Sequence, residues 1–424
     1  MATALVVGNM IGSGVFLLPA SLGAFGGVSV LGWLFTSVGA MVLALTFARL
    51  SRLMPKAGGP YAYTRAGFGD FAAFLVAWGY WISVCAGNAA IAVALVGYLA
   101  FFWRPLAENP AMAAAAAVGS IWILTWVNAR GVRQAGGVQL VTTILKLVPL
   151  IAIGTVGLLY LDFDNFTPFN TSGQSTISAI TATAALTLWA FLGVESATIP
   201  AGDVEQPERT IPRATVIGTV VAAFVYISGT VAVMGILPPS VLTDSTAPFA
   251  DAASSVWGPW AAGAIAAGAA FSCFGALNGW IMLQGQLPLA VAMDGLFPAV
   301  FGRVSKQGTP VAGLVLSSAL VTLIVFTNYT KGLVGAFTFI ILLATVTVLV
   351  PYVFSSMALV LASLRSSSTG GAKRITAPVI LGSLAFLYSL WAVAGSGRDA
   401  VFWGFILLLA GLPAYVWIVR ADGE

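Results

Sequence analysis

The sequence predicts an all-α membrane protein of about twelve transmembrane helices, built as a five-plus-five inverted repeat with its first and sixth helices broken. Three observations predict it. Hydrophobic residues make up 59% of the 424 residues and charged residues only 8%, against roughly 25% charged in a soluble domain; mean hydropathy is +0.98. Long uncharged apolar stretches recur along the whole chain, each close to the roughly 20 residues that cross a bilayer. Two of them carry glycine and proline at matching places in the two halves, the mark of inverted repeats in membrane proteins.

The spans are expected at about 2–24, 28–48, 72–102, 110–129, 136–160, 177–203, 214–237, 260–288, 309–327, 333–364, 376–395 and 400–419. Span one reads "VVGNMIGSGVFLLPA" and is weakened at Gly12, Ser13 and Gly14. Gly27, Gly39 and Gly154, in or beside spans two and five, need no more than close helix packing. Span five carries Lys146 in "TTILKLVPLIAIG". Span six reads "LWAFLGVESATIPAG", with Gly193, Glu195, Pro200 and Gly202 close together. Five spans per repeat is an odd number, so the second copy runs the opposite way. Repeat one then covers about 1–161 and repeat two about 177–364, with helices at about 376–420 appended; the whole of 1–424 is one domain.

The net charge of +4 is a matter of topology rather than of a nucleic-acid partner. With the N-terminus taken as cytoplasmic, that side receives Arg49, Arg52, Lys56, Arg65, Arg130, Arg133, Arg209, Arg213, Arg303, Lys306, Arg365, Lys373, Arg374 and Arg420. The other side receives Arg104, Lys331 and Arg398. This follows the positive-inside rule, with both termini cytoplasmic. Cys85 and Cys273 both fall inside spans and suit neither a disulfide framework nor a metal site. The chain has no histidine, which removes His-based metal sites, proton relays and catalytic triads. No signal peptide is expected, since Met1–Ala20 lacks a basic n-region and a bundle follows.

A helix broken in mid-membrane frees N–H groups on one half and C=O groups on the other, and lipid tolerates this only around a cavity or inside protein. The N–H groups suit a carboxylate and the carbonyls an ammonium or a metal cation. Both together match the charged ends of an α-amino acid. Two ionisable residues stand inside spans, where a charge is costly enough to need a cavity or a partner. Glu195 reads either as a neutral acid hydrogen-bonded within the bundle or as a titratable group that links proton and substrate binding. Lys146 reads either as snorkelling or as a proton-coupling ammonium in the place of a sodium ion. Trp189 and Trp280, inside spans, can hold a cation on their faces; Trp33, Trp103 and Trp257 suit an interface belt.

"GNMIGSGVFLLPA", "GGPYAY", "LWAFLGVESA", "QPERTIP" and "DGLFPAVFGRVSKQGTPV" together resemble the amino acid–polyamine–organocation (APC) superfamily. Within it the chain is most similar to the basic amino acid/polyamine antiporters, on the arginine/agmatine pattern, over nearly its whole length. The resemblance implies the LeuT/APC-type fold. It implies that Ser13 and the backbone at Gly14 hold the substrate carboxylate, and that carbonyls of Met10, Trp189 and Leu192 meet its ammonium. Trp189 would close over the substrate, Trp280 would stack on or gate its distal end, and Asn88, in "CAGNAA", would contact the side-chain end of the substrate. Glu195, Tyr80 and Tyr352 match a cytoplasm-facing gate, with Glu195 also proton-sensitive; Tyr61 matches another residue of that response.

The chain departs from the arginine pattern at Ile91 and Ala344, which make the distal pocket more apolar, at Ser83 and Val84, and at Lys146, which is similar instead to the lysine of proton-coupled amino acid transporters. The expected function is therefore exchange of a basic amino acid or its decarboxylated amine by alternating access in the inner membrane. The alternative is proton-coupled symport or exchange of neutral amino acids. No cofactor or metal is expected, and the partners are a small amino acid or amine, the lipid bilayer and a possible second copy of the chain. An intramembrane hydrolase lacks a nucleophile with its base, and a channel would need rings of pore-lining charge. A sensor that binds without transporting could share every residue named here.

Overall fold

The computed structural model describes residues 2–328, 333–367 and 376–421. Side chains at Ser13, 132–140, Thr142, Leu145, Asp203, 327–328, 333–338, 366–367, Val419 and Ala421 lie outside the described ones, as do Lys331, Lys373 and Arg374.

Span one is two helices, α1 (Ala2–Met10) and α2 (Ser13–Gly23), meeting at Ile11 and Gly12. There follow α3 (Val28–Leu53), a short α4 (Pro60–Phe68), α5 (Asp70–Ala100), a single turn α6 (Pro105–Glu108), α7 (Pro110–Ala129) and α8 (Val132–Val156). Span six starts as α9 (Thr176–Leu188) and then dissolves into 3-10 turns at Trp189–Phe191, Ser196–Thr198 and Ala201–Asp203. The second half continues with α10 (Pro207–Ile236), α11 (Pro239–Asp244), α12 (Pro248–Trp257), α13 (Pro259–Met293), α14 (Val311–Asn328) and α15 (Leu333–Ser367). The chain ends in α16 (Thr376–Gly395), α17 (Arg398–Leu409) and α18 (Leu412–Ala421). Among the described residues ten segments are long and apolar enough to cross a membrane, and Lys146–Tyr160 and Val311–Phe326 are shorter apolar helices. Together they account for the twelve spans.

Local chemistry sets several starts. Proline opens α4, α7, α10, α12 and α13, where its missing N–H would have had no intrahelical partner. At α7 the Asn109 side chain also accepts from the N–H groups of Ala111 (3.0 Å) and Met112 (3.2 Å), a side-chain N-cap. Small residues let segments touch: a Cβ at Gly27, just before α3, would meet the ring of Phe169 in the connection before α9 at 2.8 Å, and one at Gly154 of α8 would meet Ser228 Oγ of α10 at 2.6 Å.

Helix α5 is the axis of the bundle, 94% buried over its most apolar window, whereas the α17–α18 window is 17% buried. It packs along α13 and α15, while α3 packs on α10 and α9, α1 on α10, and α13 on α8. One reading of the sequence needs correction. Trp33 is not at an interface belt: it is fully buried with its ring 5.3 Å from Tyr226 and 6.1 Å from Phe191, because that face of α3 looks onto the broken span six. The last span, Arg398–Ile418, stands where the sequence puts it and turns within its length at Ala410–Gly411. A Cβ at Gly411 would meet the Trp78 ring at 2.8 Å, and Pro413 follows within the first turn of α18.

Candidate functional site: the crossing of two broken spans

The two breaks meet. A Cβ at Gly14 would lie 3.0 Å from Trp189 Cδ1 and 3.2 Å from the Ala190 backbone, and one at Gly12 would lie 2.8 Å from the Ala276 side chain. From the other side, Gly193 has φ +104° and would press a Cβ onto Trp280 at 3.1 Å and Asn9 at 3.2 Å. A side chain would be strained there by conformation and by contact alike. At the crossing lies a cavity of about 10 Å³, lined in part by Met10, Gly14, Ile91, Trp189, Leu192 and Trp280. That is room for about one water. The conformation is closed down on its own site.

The broken backbone finds partners. Helix α2 begins after Gly12 with no side-chain cap, so its first N–H groups face the break with the positive end of the helix dipole. At the end of α1 the carbonyls are taken up by side chains from distant helices. Lys146 Nζ donates to Gly8 O (2.6 Å) and Ile11 O (2.5 Å), and Trp280 Nε1 donates to Asn9 O (3.0 Å). Ser272 Oγ lies 3.5 Å from Ile11 O, which brings α8, α13 and the first break to one point. Lys146 is fully buried and does not snorkel. In span six, Tyr226 Oη donates to Ala190 O at 2.8 Å, holding the chain where it leaves helical geometry.

Below the cavity the second break is tied to two helices by one carboxylate. Glu195 is fully buried. Tyr352 Oη donates to its Oε2 at 2.5 Å, and Tyr80 Oη donates to Oε1. Both oxygens accept, the arrangement a carboxylate requires. Chain order locates this knot. On span six, Leu192 lines the cavity, Glu195 follows, and Ile199 and Pro200 line a second cavity of about 670 Å³. That larger vestibule lies among α4, the end of span six and the last turns of α13, with Arg65 and Asp294 in its wall.

Tyr61 belongs to the vestibule rather than to the cavity. Its hydroxyl donates to Asp294 Oδ2 at 2.8 Å. Arg65 Nη1 lies 2.7 Å from the same oxygen, and Arg65 Nε 2.7 Å from Asp70 Oδ1, so α4 is latched to the end of α13. Burial, and then the hydrogen bond to Asp294, push the Tyr61 hydroxyl above its ordinary pKa. The bond to Asp70 raises Arg65.

The residues picked out in the sequence therefore fall into four groups, Tyr61 at the vestibule being one. Met10, Gly14, Ile91, Trp189, Leu192 and Trp280 line or edge the small cavity. Asn88 stands one turn before Ile91 on α5, and Ala344 is buried on α15 outside the cavity's lining, with its carbonyl accepting from Ser83 Oγ at 2.7 Å. Glu195, Tyr80 and Tyr352 form the knot, and Lys146 stands apart at the first break. The side chain of Ser13 lies outside the described residues. Sequence reasoning missed Gln284, which accepts from Asn88 Nδ2 at 2.7 Å, and Asp294, the partner of Tyr61. An amide in mid-span was visible in "WIMLQGQ", but only charged residues were weighed there.

Comparison with known proteins agrees with this architecture. The family model for amino acid permeases matches residues 1–418. The chain is 38% identical to the cadaverine/lysine antiporter of Escherichia coli (strain K12) over 370 residues, which is 84% of this chain and 82% of that protein. It is 32% identical over 417 residues to the putrescine transporter PotE of Haemophilus influenzae, covering 98% of this chain and 95% of that one. The Escherichia coli K12 putrescine transporter PotE is likewise 32% identical, over 97% and 94%.

Proposed function

The chain belongs to the amino acid permease family of the APC superfamily, and from that premise we propose that it exchanges a basic amino acid for a diamine across the bacterial inner membrane. The similar proteins are named for cadaverine, lysine and putrescine, so lysine and cadaverine are the first pair to test, ahead of the arginine and agmatine of the sequence pattern. The observation that carries the reading is the crossing of the two breaks. An uncapped helix N-terminus suits a carboxylate there, while carbonyls and two tryptophan faces suit ammonium groups. The contacts also support two repeats of five spans. Exchanging the halves carries α3–α9 into α10–α1 and α13–α8 into α5–α15, and all four packings occur. The basic residues support an orientation with both termini cytoplasmic.

Purified protein in liposomes preloaded with unlabelled lysine is expected to take up labelled lysine and cadaverine, and empty vesicles are not. One observation favours a second reading. Lys146 donates to both Gly8 and Ile11 in the first break, a placement suited to proton-coupled symport of a neutral amino acid. Alanine uptake into empty vesicles under an inward proton gradient would establish that reading and overturn exchange of basic substrates.

A further inference from the structure

Behind the cavity runs a chain of buried polar side chains of which the sequence pattern singles out only Asn88; Gln284, Ser318 and Thr125 have no role in the transport reading. Asn88 on α5 lies one turn from Ile91, and Gln284 on α13 lies one turn from Trp280; both of those neighbours line the cavity. Beside Asn88, a Cβ at Gly87 would meet the Trp189 ring at 3.1 Å. Asn88 Nδ2 donates to Gln284 Oε1 at 2.7 Å, and Gln284 Nε2 donates to Ser318 Oγ of α14, also at 2.7 Å. Ser318 Oγ is 2.6 Å from Thr125 Oγ1 of α7, and Thr125 Oγ1 donates to Ile121 O at 2.7 Å. Asn88, Gln284 and Ser318 are fully buried and Thr125 nearly so.

The direction of donation is fixed from the far end. The Ile121 carbonyl can only accept, so it takes the single hydroxyl proton of Thr125. Ser318 must then donate to Thr125, which leaves only its lone pairs for Gln284. Gln284 has to present its NH₂ to Ser318 and its carbonyl oxygen to Asn88. Asn88 in turn presents its NH₂ to Gln284, and its own Oδ1 points away from the relay. That Oδ1 is buried and has no hydrogen-bond partner. Buried acceptors are nearly always paired, so a fixed acceptor beside a substrate cavity calls for a donor that arrives with the ligand.

We propose that Gln284, held by Ser318 and Thr125, is a positioning residue that locks Asn88 with its carbonyl oxygen toward the cavity, so that the site selects substrates with a cationic donor at the distal end. The inference rests on the reading above and adds to it the residues that distinguish a dibasic substrate from a neutral one of the same shape. If the amide were free to turn over, Asn88 could serve a donor or an acceptor equally and the preference would fade. The relay removes that freedom. It does so without a charge, so the empty site carries no isolated ion in the membrane.

The test is the binding of lysine and of norleucine, which is lysine without its ε-amino group, to the full-length protein in nanodiscs by calorimetry. Wild type is expected to prefer lysine. Gln284→Leu is expected to cut the lysine/norleucine ratio by about tenfold or more, by weakening lysine while norleucine changes little. Ser318→Ala, further from the cavity, is expected to shift the ratio the same way by a smaller factor, and it decides alone if the leucine variant is not monodisperse. Equal losses for both ligands, or an unchanged ratio in the variants, overturns the relay and leaves the transport reading standing. A wild type that does not separate lysine from norleucine overturns both.

Discussion

Gly193→Ala tests whether the crossing of the breaks holds the closed conformation. Residue 193 sits at φ +104°, and an added methyl carbon would stand 3.1 Å from Trp280 Cζ2 and 3.2 Å from Asn9 Cβ. Backbone strain of this kind in a non-glycine residue costs about 1–3 kcal/mol, which is about a 5- to 150-fold loss of the closed state relative to others. The methyl contacts add in the same direction, because Trp280 is fixed by its bond to Asn9 O and cannot retreat freely. Gly202→Ala is the control: nothing lies within 4 Å of its Cβ and its backbone is not left-handed. Exchange in proteoliposomes and thermal melting in detergent are both expected to fall for Gly193→Ala and to stay near wild type for Gly202→Ala. A Gly193→Ala protein with wild-type exchange and an unchanged melting temperature would refute the argument that these contacts hold the closed state.

Three further outcomes follow from the same geometry. Lys146→Met leaves Gly8 O without its side-chain donor and Ile11 O with only the long contact to Ser272 Oγ, at about 1–3 kcal/mol for an orphaned buried group; relief of the lysine's own burial offsets part of this, and melting in detergent should fall by several degrees. Glu195→Gln puts an NH₂ group where one of two tyrosine hydroxyls donates, so exchange should drop by about tenfold or more and the remainder should lose its difference between pH 5 and pH 7.5; an unchanged pH response would move that role to Lys146. Tyr61 has a folded pKa above its ordinary value of about 10, so its contribution is complete below that pH and is lost as pH rises above it. Melting curves from pH 9.5 to 11 should fall more steeply for wild type than for Tyr61→Phe.

What could be read from the sequence was whatever the membrane makes expensive. Glycine and proline in mid-span betray a break because lipid offers the freed backbone no water, so Gly12, Gly14, Gly193 and Pro200 were visible as a set. Lys146 and Glu195 were visible because charge inside a span is rare. Their partners were not. The carbonyls that hold Lys146 lie more than 130 residues away in the chain, and no local pattern encodes that distance. Trp33 was misplaced because a tryptophan near a span end suits an interface as well as a core, and only the packing of α3 against span six decides. Gln284 escaped because an amide is cheap enough in a span to pass for packing; its role appears only when the donor direction is traced through four helices.

The position of Glu195 joins these observations. Three helices run past it in the same order: α5 from Asp70 through Tyr80 to Asn88 and Ile91, α15 from Arg365 through Tyr352 to Ala344, and span six from Pro200 through Glu195 to Leu192. Span six itself passes from Pro200 in the wall of the vestibule to Leu192 in the wall of the cavity, so the carboxylate stands between a space of about 670 Å³ and one of about 10 Å³. On the proposed reading, a dibasic substrate leaving the cavity on this side gives up the Asn88 acceptor and next meets the two oxygens of Glu195. Both are occupied by tyrosine hydroxyls, which are neutral donors that a cation can replace one for one. The exchange keeps each oxygen paired at every stage, so the knot can open to a cation without stranding a bare carboxylate in the membrane. A substrate with a neutral side chain brings no distal donor to exchange there.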